Sequence, residues 1–265
     1  MQAFNLIVLV GAVAKYVDVL TDPHGRPISE VTLAGTQQIP NSDGSTRTLT
    51  WYHRIFFPDA DPAWVGRTFV KGLGVKVRGS IHPFREVLDG KTRTELVVKA
   101  TTTFEVDAPP ENLLLDRYGS PRLKDAVNVV CVVGAVAKKP EIKTAANGNP
   151  YCFFPVHLFT SSLYDSEGTQ QVFQELQVAC WEETAEVMAE FEFGERILVV
   201  GKLVHDRWQS PEGEPLKTSR ILADEVKKGD DIDAFLDWIQ KGAPAEPEAA
   251  PEEQQNAGDA TPSGS

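Results

Sequence analysis

Asn5-Leu-Ile-Val-Leu-Val-Gly-Ala-Val-Ala-Lys15 returns later in the chain as Asn128-Val-Val-Cys-Val-Val-Gly-Ala-Val-Ala-Lys138. Each copy reads as a strand, a closing glycine and a turn, and the duplication reaches far beyond it. Gly11, Gly25, Gly44, Gly72, Gly79 and Gly90 recur in order as Gly134, Gly148, Gly168, Gly194, Gly201 and Gly213, at offsets of 122 to 124 residues. Glycine tolerates positive φ and close backbone approach, so glycines that keep their spacing within one chain mark bends that are kept. A period this long belongs to whole domains, not to a solenoid. The chain carries two copies of one small domain.

The 265 residues, 42% of them hydrophobic, suffice for two domains with separate cores. No window approaches the roughly 18 consecutive apolar residues of a membrane helix, and no basic segment followed by an apolar stretch and cleavage site opens the chain. These features predict a soluble, cytoplasmic protein with no membrane partner. Cys131, Cys152 and Cys180 lack C-x-x-C spacing and lie in or near apolar text, so buried reduced thiols are expected rather than disulfides or a metal site. The formal charge is −12, unevenly spread. Residues 1–106 hold 12 Lys and Arg against 10 Asp and Glu, 107–127 hold 3 against 4, 128–228 hold 10 against 15, and 229–265 hold 1 against 9. Net charge governs solubility and nonspecific association, whereas a groove depends on where its few cations stand, so acidity does not exclude a nucleic-acid ligand.

In the first copy, strand text at 4–10, 28–33, 49–57, 73–81 and 92–98 is punctuated by the turns Asp22-Pro-His-Gly25, Asn41-Ser-Asp-Gly44 and Asp89-Gly90. Asp61-Pro62 is a helix start and Gly72 a stop, predicting a short helix over 63–69. The second copy repeats this order with Asn147-Gly148, Glu167-Gly168 and Glu212-Gly213. Its helix places Trp181, Ala185, Met188 and Phe191 on one face, with Met188 and Phe191 read as core. Five strands with one helix between the third and fourth match the OB-fold, a five-stranded Greek-key barrel. The expectation is an all-β protein of two tandem OB-folds at 1–106 and 128–228, a linker at 107–127, and an acidic, largely disordered tail at 229–265. From residue 243 that tail lacks aromatics and cannot bury enough surface to order itself. The first strands, 6–10 and 129–133, are apolar on both faces, so their outer faces should meet another domain or subunit.

No nucleophile–base pair, metal-ligand cluster or phosphate loop is visible, and His24, His53, His82, His157 and His205 are scattered; neither an enzyme nor a cofactor or metal is expected. Aromatics interleaved with cations point elsewhere. Trp51, Tyr52 and Arg54 share one strand; Lys76 and Arg78 alternate with valines on an outward face; Phe84 and Arg85 follow, with Arg93 across the hairpin. The second copy offers Lys138, Lys143, Trp181, Arg207 and Trp208, with Lys139, Lys202 and Arg220. Single-stranded nucleic acid is held by this mixture, rings for unstacked bases and cations for phosphates. A solvated, half-polar barrel face would also alternate cations. Trp208, near a hairpin tip, either faces a ligand or covers the barrel mouth.

Several motifs then line up with one family. The Asn-to-Gly strand opening each copy, Trp51-x-His53-Arg54-Ile55, Pro140-Glu-Ile-Lys143 with Asn147-Gly148, Gly194-x-x-Ile-x-Val-x-Gly201-x-Leu203, and Arg207-Trp208 resemble bacterial single-stranded DNA-binding proteins across 4–227. The tandem arrangement is similar to the two-OB form of the Deinococcus–Thermus group. The resemblance implies a homodimer presenting four OB-folds, associated with the nucleoid, that binds single-stranded DNA without strong sequence preference during replication, recombination or repair. By position, Trp51, Trp181 and Trp208 match the family's stacking aromatics. Three departures stand out: Phe84-Arg85-Glu86 replaces an Arg-x-Trp, Phe193-Gly194-Glu195 replaces basic text, and the sequence closes on Thr261-Pro-Ser-Gly-Ser265 instead of an acidic Pro-Phe tip. The internal segment with Asp230, Asp231, Phe235 and Trp238 reads either as a docking site for replication or repair proteins or as a final amphipathic helix. The alternative to DNA binding is an OB-fold protein-interaction scaffold, or a paralogue with weakened DNA binding.

Overall fold

The computed structural model describes residues 3–40, 44–58, 60–88, 91–164, 170–209 and 215–241. The first copy comprises β1 (Phe4–Val13), β2 (Asp18–Thr21), β3 (Pro27–Pro40), β4 (Thr46–Phe57), α1 (Pro62–Thr68), β5 (Gly74–Leu88) and β6 (Lys91–Val106). The connection holds a small hairpin, β7 (Leu113–Leu115) and β8 (Pro121–Leu123). The second copy comprises β9 (Val127–Val136), β10 (Lys143–Thr144), β11 (Pro150–Ser161), β12 (Gln171–Trp181), α2 (Glu182–Met188), β13 (Arg196–Gln209) and β14 (Pro215–Lys228), and α3 (Asp230–Lys241) follows. Each copy closes into a five-stranded OB barrel. In the first, Ala12 pairs with Ala34 and Ile55 runs parallel to Val98; in the second, Ala135 pairs with His157 and Val178 runs parallel to Ile221.

The duplicated asparagine and one duplicated glycine share a cause. The ladder of β5 with β6 shifts register between Arg78 and Gly79, and that of β13 with β14 between Val200 and Gly201. A Cβ at Gly79 or Gly201 would lie 2.1 Å from the carbonyl oxygen of Lys99 or Leu222, so only glycine fits either bulge. Beyond the bulge β5 no longer pairs with β1, and the Asn5 amide takes its place, donating to the Ile81 carbonyl (2.8 Å) and accepting from the Ile81 N–H (3.0 Å). Asn128 does the same for Leu203, at 2.8 and 3.1 Å. Without the amide, two backbone groups in each barrel would lack partners, at about 1–3 kcal/mol apiece.

The apolar first strands do meet another domain. β1 and β9 pair edge to edge in antiparallel register from Phe4–Val133 to Val10–Val127, which joins the two barrels in one continuous sheet. Their outer face is partly roofed by α3, whose Ile232 and Leu236 pack on Cys131, Val133 and Leu198 beside Phe4, Leu6 and Phe235. The segment expected to be largely disordered thus begins with a packed helix, because its apolar residues find that sheet face; residues 242–265 lie outside the described set. Burial of Cys131 pushes its thiol up to about 12. Cys152 and Cys180 oppose each other across β11 and β12, and all three cysteines are free and buried. In α2, Ala185 and Met188 are fully buried and Phe191 follows them into the core, whereas Trp181 caps the helix and points outward. Among the described residues, no helix is long and apolar enough to cross a membrane.

Polar chains also cross the seam. Both Leu203 bonds fix the orientation of the Asn128 amide, so its second N–H donates to His53 Nε2 at 3.1 Å. His53 Nδ1 lies 3.0 Å from His205 Nε2, and His205 Nδ1 lies 2.8 Å from the Ser219 hydroxyl. A second chain joins Ser80, His82 and Gln174, with 2.7 Å at each step. His82 is fully enclosed; burial, with Lys99 nearby, lowers its pKa to about 3 and keeps it neutral. Together with Lys99 donating to Ser162 O (2.9 Å) and Arg26 to Tyr164 O (2.6 Å), these contacts hold the barrels as one unit.

Candidate nucleic-acid interface

In an OB-fold the second and third strands supply the usual oligonucleotide face. In the second barrel these are β11 and β12. Along β11, Cys152, Phe154, Val156 and Leu158 point into the core, while Tyr151, Phe153, His157 and Phe159 point out. Register brings Trp181 opposite Tyr151 and Phe173 opposite Phe159. The Trp181 and Tyr151 rings stack at 5.1 Å and 25°, Tyr151 meets Phe153 edge-on at 5.5 Å, and the Arg220 guanidinium sits 4.6 Å over Phe153. Farther along, Phe173 contacts His157 at 4.6 Å and Phe159 at 5.5 Å. The stripe spans nine residues of strand, eight steps or about 27 Å. Phe153, Phe159, Phe173 and Trp181 are all exposed, a concentration of rings that packing within the chain does not account for.

At the Trp181 end, an open cleft of about 1580 Å³ separates this face from the first barrel and the connecting hairpin. Arg47, Arg117 and Arg122 line one wall, with Lys202 and Arg220 on the other. The second-barrel cations are matched by acids: Lys202 pairs with Asp224, and Arg220 Nε donates to Asp206 at 2.6 Å.

The same strands of the first barrel are closed along most of their length, although Arg47, Trp51 and Tyr52 of β4 border the cleft. Trp51, expected to stack on bases, is 3% exposed and lies in the core with its ring on His53, centroids 4.8 Å apart. A Cβ at Gly11 or Gly35 would come within 2.7 Å of the indole, so those glycines make the slot that seals it. Tyr52 donates its hydroxyl to Asp116 Oδ2 at 2.8 Å. Arg54 is bonded to Glu30 (2.7 Å) and Glu86 (3.1 Å), with Glu95 at 3.7 Å, and sits over the rings of Phe56 and Phe84. Burial opposes its charge, but the bonds and charges of Glu30 and Glu86 outweigh that and raise its pKa. A guanidinium so committed does not reach a phosphate. Phe84 packs edge-on against Phe56 at 4.9 Å.

The remaining predicted cations scatter. Lys76 and Arg78 are exposed on the outer face of β5, beside Val10 and Val8, away from the cleft. Arg85 and Arg93 are exposed on the β5–β6 arm. Lys138 pairs with Glu141 at 2.9 Å, and Lys143 lies opposite Tyr151 at the stripe's end. Arg207 and Trp208 stand on β13 opposite Lys217 and Leu216, with side chains outside the described set, as are those of Asp230 and Trp238. Asp231 is exposed, and Phe235 is half-buried against the body. Sequence reasoning missed Tyr151, Phe153, Phe159 and Phe173, although rings at alternate positions in Tyr151-x-Phe153-x-x-x-His157-x-Phe159 signal the first three. It also missed Arg47, Arg117 and Tyr118. Among the described residues no cluster of three or more His, Cys, Asp or Glu is placed to hold a metal.

The family model described as "Single-strand binding protein family" matches residues 4–106 and again 127–228. The single-stranded DNA-binding protein of Deinococcus radiodurans is 28% identical over 229 residues, covering 85% of this chain and 75% of that protein. That of Thermus thermophilus is 28% identical over 222 residues, covering 84% and 83%. The crystal structure of the wild-type Thermus aquaticus single-stranded DNA binding protein superposes with a TM-score of 0.65 at 21% identity, over 86% of this chain and 94% of the other, a likeness of fold. With two matched copies on two closed OB barrels, the chain belongs to the single-strand binding protein family.

Proposed function

We propose that the protein binds single-stranded DNA without strong sequence preference, through the aromatic stripe of the second barrel and the adjoining cleft. The ring run of exposed Trp181, half-buried Tyr151 and exposed Phe153, with Arg220 over the last ring, carries the reading. Every base has a π-face, so such rings hold unstacked bases regardless of sequence, at about 1–3 kcal/mol each. No catalytic step is involved. The protein protects and organises exposed strands on nucleoid DNA in the cytoplasm during replication, recombination or repair. It acts as a homodimer, a reading supported by the open apolar strip Val8, Val10, Val127 and Val129 along the seam.

Titration of labelled oligo-dT at several salt concentrations tests the reading. Affinity falls as salt rises, and a Trp181→Ala, Phe153→Ala double variant binds at least tenfold more weakly. No binding by the parent chain at low salt would defeat it. A second reading, a scaffold or paralogue with weakened DNA binding, is favoured by one observation: the second-barrel cations of the cleft are already paired with Asp206 and Asp224. A shallow salt slope with retained protein partners is its signature.

A further inference from the structure

The connecting hairpin is more than a tether. Its tip, Asp116-Arg117-Tyr118-Gly119-Ser120, is a closed turn. The Asp116 carboxylate accepts from the N–H groups of Tyr118 and Ser120, each at 2.8 Å, and Gly119 N–H donates to Asp116 O at 3.0 Å with φ of +75° at the glycine. The Tyr52 hydroxyl ties the same carboxylate to the first barrel. The Ser120 N–H foremost, with Tyr52 and Tyr118 N–H, holds the Asp116 carboxyl below the usual carboxylate range, so its charge is spent inside the turn.

This turn fixes in place a tyrosine that the fold does not use. Tyr118 is 75% exposed, and the Arg117 guanidinium lies 4.6 Å over its ring, leaving the opposite face bare. Among the described residues, neither Arg117 nor Arg47 has a carboxylate within ion-pair distance. The Arg122 Nε is enclosed and lacks an acceptor in the protein. The two walls of the cleft therefore differ in kind. The hairpin and first-barrel wall carries unpaired cations; the facing wall carries Trp181 and Phe153, with its own cations neutralised.

We propose that the hairpin is the phosphate-facing wall of a single-strand channel between the two barrels. The strand runs with its backbone along Arg47 and Arg117 and its bases turned toward Trp181 and Phe153, and the free face of Tyr118 takes a further base. This inference rests on the single-stranded DNA reading and gives that ligand an orientation.

The test uses the full chain and oligo-dT titrated by fluorescence anisotropy across a salt series. Arg47→Ala and Arg117→Ala should each lower the magnitude of the salt slope by about 0.7, the value for one phosphate of a single strand. Tyr118→Ala should weaken binding about fivefold or more at constant slope, and Tyr118→Phe, which keeps the ring, should restore it. Thermal midpoints of all four variants should match the parent, because these side chains pack little. Unchanged slopes and an unchanged Tyr118→Ala affinity, while Trp181→Ala still weakens binding, would overturn the channel and leave the DNA reading standing. Absence of binding by the parent chain would overturn both.

Discussion

In the first barrel the outer face of the second and third strands presents Glu30, Arg54 and Phe56; in the second barrel the same three positions, matched through the closing pairs Ala12–Ala34 and Ala135–His157, hold Phe153, Gln177 and Ala179. One face is an ion cluster buried under the β5–β6 arm, with Leu163 and Tyr164 of the other copy packed alongside. The other carries no ion cluster among the described residues, and its Phe153 continues the exposed row of Trp181, Phe159 and Phe173. Duplication supplied two equivalent surfaces, and their chemistry has since diverged. An arginine that must leave water needs complete carboxylate compensation, and once compensated it is a structural part. The face left without such partners is the one still free to receive a ligand.

Substitutions can break or sharpen this contrast. The largest effect is expected at Trp51. Trp51→Ala opens a cavity between Gly11 and Gly35 and should lower unfolding free energy by about 3–5 kcal/mol in a denaturant titration, with little change in oligo-dT affinity of the folded protein. A large affinity loss at unchanged stability would reverse the assignment of the two faces. On the open face, Trp181→Ala should do the opposite, losing about 1–3 kcal/mol of binding, or 5- to 150-fold, while stability moves by less than about 0.5 kcal/mol.

The bond between the barrels has a pH signature. His82 is neutral in the folded protein with a pKa of about 3, against 6.5 when unfolded. The unfolded chain therefore takes the proton first, so this contribution is intact above about pH 6.5 and lost as pH falls toward 3. At pH 5 the loss is roughly 2 kcal/mol, from about 1.4 kcal/mol per pH unit. Unfolding free energies from denaturant titrations of the parent and His82→Gln, compared between pH 7.5 and pH 5, should diverge by that amount, the variant being the less acid-sensitive. The smallest effect is expected at Lys138, exposed and paired with Glu141: Lys138→Ala should change stability by less than about 0.5 kcal/mol and the salt slope by less than Arg117→Ala does.

The barrels were legible because their signals are local. Bulge glycines, the strand-opening asparagines and the Met188 and Phe191 stripe each report a backbone need that travels with the sequence. The site was less legible because exposure is not local. Trp51 and Trp181 look alike in sequence, yet one is sealed by glycines on two other strands and the other is turned outward at a helix start. Arg54 looked like a phosphate ligand because Glu30 and Glu86 are 24 and 32 residues away. The alternating rings of β11 are readable by period, because a strand with one buried face repeats every two residues.

The seam between β1 and β9 bears on how the protein can be dissected. Seven consecutive residues on each strand pair with the other copy, along the edge that β5 or β13 leaves open. A gene fragment encoding one barrel would display that bare ribbon of N–H and C=O groups, flanked by valines, to any chain nearby. Such an edge recruits its own kind, so half-proteins are expected to stick to one another, and the smallest honest unit for biochemistry is the pair.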